Sequence, residues 1–194
     1  MSDHKCGTTM VLANIFHRKP APDIAGQLYL RLVEHARLPD FFRDGGVPDT
    51  VDGRFDMVVL HAFLVLRRLS GPQAGAPEAE LAQNLFDLMF ADMDRNLREM
   101  GVGDLSVGGK IRAMIEAFYG RVAAYEAGLA AGDDVALTAA LARNLYRGAT
   151  PNPTQLARMA AYVRREALGL AAQPSTGLLR GELGFGMPIF VAAD

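Results

Sequence analysis

The sequence predicts an all-α protein, a compact bundle of about six helices. Three observations predict it. Apolar residues recur at three- and four-residue spacing from Ile24 to Leu170. Residues that start or stop helices bracket each such segment. No alternating strand pattern appears outside the C-terminal tail. With 194 residues, half of them hydrophobic and 22% charged, the chain can bury one substantial core.

The elements follow in order. Residues 1–22 read as a flexible arm ending in Lys19-Pro20-Ala21-Pro22, where proline resists helix formation. Asp23 then caps a first helix carrying Leu28, Leu32, Val33 and Ala36 on one face. Pro39 interrupts it, and Phe41 and Phe42 are expected to pack as a short turn. After the loop from Gly45 to Thr50, a helix from about Asp52 to Leu69 is apolar nearly all round, which marks it as central. Ser70-Gly71-Pro72 stops it. The next helix begins with Pro77, Glu78 and Glu80 in its first turn and ends at Gly101, a C-terminal cap. Ser106 starts another, with Ile111, Met114, Phe118, Val122 and Tyr125 in one stripe. Gly132 ends it, and Asp133 caps a helix running to about Arg147. Asn152-Pro153 pairs a cap with a favoured first helical residue, and a last long helix follows with Leu156, Met159, Val163 and Leu170 inward. The helical domain thus spans 23–173. The tail at 174–194 carries Gly177, Gly181, Gly184 and Gly186, and is either mobile or docked by its apolar end.

Bulk properties narrow the function. A formal net charge of −2 gives no global attraction to nucleic acid, and no DNA partner is expected. The single cysteine, Cys6, excludes an intrachain disulfide and a cysteine-based structural zinc site. The apolar run from Met57 to Leu66 is broken by His61 and is far shorter than the ~20 residues that span a bilayer. The run from Met10 to Phe16 ends in His17-Arg18-Lys19-Pro20 rather than a small-residue cleavage site. A cytoplasmic location follows as the expectation, with the inner-membrane surface as a place of peripheral residence.

Catalytic and metal constellations are absent as sequence patterns. The histidines, His4, His17, His35 and His61, form no HExxH pair, and no nucleophile elbow, P-loop or dinucleotide fingerprint occurs. No catalytic residue, cofactor or metal is therefore assigned, and the chain reads as non-enzymatic. His61 lies seven residues from both Arg54 and Arg68, so the three fall on nearly one face of the central helix, read as its half-exposed edge. A lone histidine there lacks the partner ligands of a haem or metal site. Asp49, Asp52 and Asp56 cluster around the first turn of the same helix, where the positive end of the dipole favours them and Arg54 can pair with them. Asp94 and Arg98 form an i,i+4 pair, and Asp92 lies three residues from Arg95. Six arginines (Arg143, Arg147, Arg158, Arg164, Arg165, Arg180) against one acid, Glu166, bias residues 135–181 towards positive charge.

Two places are more distinctive than packing requires. One is GVPDTVDGRFDM at 46–57, followed by LHAFLVLRRL at 60–69. The other is the run from Phe90 through DMDRNLREMGVGDLSV at 92–107, continuing to AFYGR at 117–121. Together they resemble the ubiquinol–cytochrome c chaperone family, over roughly residues 23–170. The resemblance implies a helical assembly chaperone that binds newly made cytochrome b and promotes biogenesis of the ubiquinol–cytochrome c reductase (bc) complex. It also implies, from mitochondrial relatives, work near the ribosome with a small partner. The candidate partner-binding residues are the motif positions that packing explains poorly: Asp49, Asp52, Arg54, His61, Asp92, Asp94, Arg98, Asp104, Tyr119 and Arg121. An apolar groove is expected to receive the client; Met89, Met93, Met100 and Met114, at helical spacing, read first as plain core and second as adaptable lining of that groove, which needs some of them exposed. Two alternatives stay open: a ribosome- or RNA-contacting module built on the arginine-biased half, and a small-ligand or haem-binding protein using His61 and Tyr119.

Overall fold

The computed structural model describes residues 23–72, 74–188 and 190; the arm at 1–22 lies outside the described residues. Eight helices follow one another: α1 (Ile24–Ala36), α2 (Pro39–Arg43), α3 (Val51–Leu69), α4 (Ala76–Glu99), α5 (Asp104–Ala130), α6 (Val135–Asn144), α7 (Pro153–Ala172) and α8 (Ser175–Leu178). No strand occurs among the described residues. Six of the helices are the expected ones. The other two are single short turns: α2, which holds the buried Phe41, and α8 in the tail.

The caps act largely where the sequence places them. Asp23 accepts the Gly26 N–H at 2.9 Å at the start of α1. Thr50 accepts the Gly53 N–H at 3.1 Å at the start of α3. Gly53 is obligatory there, because a Cβ would sit 1.9 Å from the Pro48 carbonyl oxygen. Asn152 and Gln155 form a reciprocal box at α7: Asn152 accepts from Thr154 N–H at 2.8 Å, and Gln155 accepts from Asn152 N–H at 3.2 Å. At the end of α4, Gly101 takes a φ of +85°, and Val102 N–H reaches back to Leu97 O at 3.0 Å. Two boundaries differ from expectation. Helix α5 starts at Asp104, and α6 stops at Asn144 because Leu145 and Tyr146 turn inward as buried residues.

Helix α3 is the axis of the bundle. Residues Met57 to Val65 are all buried, and α1, α4 and α7 pack around them. Helix α5 packs on α6 and α4. The tail docks. Gln173 exchanges two hydrogen bonds with the Gly184 backbone, at 2.6 and 3.2 Å. Glu166 accepts the Gly186 N–H at 2.8 Å, Arg165 donates to Met187 O at 2.8 Å, and Arg158 donates to Phe190 O. Phe190 is thereby buried against Phe41.

Candidate functional site

The feature best suited to receive a partner is an open trough of about 690 Å³. Its floor is Phe63 and Leu66 from the C-terminal half of α3. One wall is Ala79, Ala82 and Phe86 of α4; the other is Tyr119 and Val122 of α5, with Phe118 beneath. The trough exists because α4 and α5 pack against each other without closing over α3 at this end. Aromatic and aliphatic side chains make most of the lining, beside the polar Arg67, Arg68, Ser70, Gln83 and Glu126; Phe86 is tilted on Tyr119 at 5.8 Å between ring centres and meets Phe118 edge-on at 5.7 Å. Its cations are already engaged. Arg67 pairs with Glu126 at 2.9 Å. Arg68 donates to the carbonyls of Leu170 and Gln173 at 3.1 and 2.8 Å, satisfying oxygens that the end of α7 leaves without helical partners.

Behind the α5 wall lies a buried charge cluster. Asp56 is 2% exposed and accepts from Arg121 of α5 at 2.9 Å and from Arg147, after α6, at 2.9 Å. Burial pushes the Asp56 carboxyl above its ordinary value, opposed by the two guanidiniums. The cluster ties α3 to α5 and to the α6–α7 connection, and so fixes the wall that carries Tyr119 and Val122. It also joins the two distinctive sequence segments, since Asp56 belongs to one and Arg121 to the other.

On the other side of α3 a polar relay threads the core. His61 is wholly buried, and its Nδ1 lies 2.8 Å from Met57 O. A carbonyl only accepts, so Nδ1 carries the proton. Burial depresses the His61 pKa to about 3, so the ring is neutral and Nε2 accepts from the Tyr162 hydroxyl at 2.7 Å. The Tyr162 oxygen in turn accepts from His35 Nε2–H at 2.9 Å. Phe185 of the tail stacks on His35 at 4.7 Å and meets His61 edge-on at 5.1 Å. Both ring nitrogens of His61 are therefore occupied, and the tail covers the face on which a ligand would approach.

Residues 43–185 match the family described as ubiquinol-cytochrome C chaperone. The chain belongs to this family. It is 29% identical over 140 residues to the ubiquinol-cytochrome-c reductase complex assembly factor 1 of Xenopus laevis, covering 72% of this chain and 68% of that protein. It is 28% identical over 153 residues to the corresponding Mus musculus factor, covering 79% of this chain. It spans about half the length of that mouse relative, 51%. The crystal structure of the Cbp3 homolog from Brucella abortus is similar at 36% identity with a TM-score of 0.75, covering 84% of this chain and 88% of that one. The family match extends past α7 to Phe185, so it includes most of the docked tail.

Within this chaperone fold the sequence candidates separate. Tyr119, 57% exposed, lines the trough. Asp49 pairs with Arg54 at 2.6 Å on the surface, and Asp52 is exposed in the first turn of α3. Asp94, Arg98 and Asp104 form an exposed chain of ion pairs across the α4–α5 turn. Asp92 accepts from Tyr29 at 2.9 Å and from Asn96 at 3.2 Å rather than meeting Arg95. Two candidates need correcting. His61 is 0% exposed, not at a half-exposed edge, because the tail and Tyr162 close over it. Arg121 is buried against Asp56. Neither offers a partner a contact surface. Of the four methionines, Met89 and Met93 are core, as their helical spacing first suggests, Met100 is exposed at the far end of α4, and none lines the trough. Sequence reading missed Arg147 as a partner of Asp56, and missed the α4 wall. Five of the six arginines in the biased half are engaged within the chain, Arg164 on the carbonyls at the end of α5. That bias serves the fold's own backbone and acids.

Proposed function

We propose that the chain is an assembly chaperone of the ubiquinol–cytochrome c reductase, with newly made cytochrome b as its client. The observation that carries this is family membership across residues 43–185. The trough supports it, since a membrane subunit awaiting partners presents apolar helix surface, and an uncovered apolar groove is the complement of such a surface. The frog and mouse relatives, assembly factors for that complex by name, point the same way. The reading places the chaperone at the cytoplasmic face of the inner membrane, held there by its client and by the ribosome that delivers it. No described helix is long and apolar enough to cross a membrane, which fits a peripheral position. The exposed residues Asp49, Asp52, Arg54, Arg98 and Asp104, with the half-buried Asp92 and Asp94, are the polar surface on which secondary partner contacts form, and Tyr119 contacts the client. Deleting the gene should deplete the assembled reductase and shorten the lifetime of cytochrome b. Affinity capture of the tagged chain during synthesis should bring cytochrome b with it. Normal reductase levels in the deletion strain would sink the proposal.

A further inference from the structure

Three helices line the trough: α3 from Phe63 to Arg68, α4 from Ala79 to Phe86 and α5 from Phe118 to Glu126, with Ser70, Gly71 and Pro72 just beyond the end of α3. The α4 and α5 stretches, seven and eight residue steps at 1.5 Å, run about 10.5–12 Å, two helical turns. We infer that the trough takes a single uncharged helix of the client, two turns at a time. The occupant lies along the trough as an added member of the bundle, with aliphatic side chains at i, i+3 or i+4, and i+7 against Leu66, Phe86, Tyr119 and Val122. This inference rests on the chaperone reading above.

Other chemistries fit less well. A small ligand is oriented by a few convergent polar groups. Here Arg67 is spent on Glu126, and Arg68 on the end of α7. An extended peptide is held by main-chain hydrogen bonds to an open sheet edge. Here the walls are helices whose backbone groups are bonded internally. Three helical walls instead offer ridges and grooves for a fourth helix. Of the lining charges, Arg67 and Glu126 pair with each other and Arg68 is held on the carbonyls that end α7, so a charge on the docked face of an occupant would be buried without a free partner. A helix destined for a bilayer rarely carries such a charge.

The test uses the full chain in cells, with a photo-reactive phenylalanine at Tyr119 and, as control, at the exposed Val51 at the opposite end of α3. The Tyr119 probe should link to cytochrome b within one membrane helix, at positions spaced three or four apart, and the Val51 probe should not. Ala79→Trp fills the trough from an exposed position and should lower capture of cytochrome b at least about tenfold without changing the melting temperature. Gln83→Trp does the same should Ala79→Trp fail to fold. If the intact chain captures cytochrome b but Tyr119 links to it no better than Val51, the trough assignment falls and the chaperone reading stands. Links from Tyr119 to lipid, or to residues 1–22 of the chain itself, also overturn the assignment. Failure of the intact chain to capture cytochrome b at all removes both.

Discussion

Acid should destabilise this protein well before its surface ion pairs are lost, and His61 should be the main cause. In the folded chain, burial holds the His61 pKa near 3; unfolded, the ring titrates near its ordinary value of 6.5. The sign follows directly. The depressed pKa means that the folded state refuses a proton which the unfolded state accepts below about pH 6.5. The contribution of His61 is fully present above that pH and is lost as pH falls through the window down to about 3. Between about pH 7.5 and pH 4.5 the loss integrates to about 2–3 kcal/mol. His35, also lowered mainly by burial, adds in the same direction but is half-exposed and contributes less. The carboxylates held low by arginine, Asp44 and Asp49 among them, release their share only below about pH 4. The assay is urea unfolding across this pH range for the wild-type chain and for His61→Gln, which keeps a neutral hydrogen-bonding group. The wild-type midpoint should fall steeply as pH is lowered, and the variant, less stable at neutral pH, should have the flatter profile. Parallel profiles would refute the assignment of the proton to His61.

Arg121→Met leaves Asp56 buried with Arg147 as its one remaining cation and should cost about 1–3 kcal/mol in urea melts, because one charge-assisted bond to a buried carboxylate is lost. Gly53→Ala forces a methyl group onto the Pro48 carbonyl and should cost about 1–3 kcal/mol, read as a lower melting temperature. Phe190→Ala removes a ring that is 2% exposed and should cost about 3–5 kcal/mol; proteolysis should then cut the tail faster than the helical body.

Much of this fold was legible because its signals are local. An apolar run such as 57–66 can only be a central helix, and Asn152-Pro153 and Gly101 punctuate the chain by their own backbone preferences. The site was less legible because it depends on contacts distant in sequence. Asp56 looks like one more acid in a first turn, and nothing near it shows that Arg121 and Arg147 arrive from 65 and 91 residues away. The helical wheel puts His61 on nearly one face with Arg54 and Arg68. The wheel has no knowledge of a tail that brings Phe185 across that face. Methionine at helical spacing reads first as core, and Met89 and Met93 do turn to the core; what the spacing does not show is which residues of α4 line the trough.

The size of the trough bears on how a chaperone lets go. Two turns of helix seat about three aliphatic side chains, each gaining about 1.5–3 kcal/mol when fully buried. Association costs at least about 4 kcal/mol in lost freedom, and by some accounts far more. The trough alone therefore binds weakly. That suits a client which must pass into a larger complex, where bilayer and partner subunits offer its helices more contact than a two-turn groove can. A soluble peptide carrying one uncharged helix should accordingly bind the isolated chain with micromolar affinity or weaker, measured by calorimetry. The same helix within nascent cytochrome b, held close by synthesis beside the chaperone, should be captured efficiently. Nanomolar binding of the isolated peptide would contradict this view, because a contact that tight would come from more surface than the trough presents.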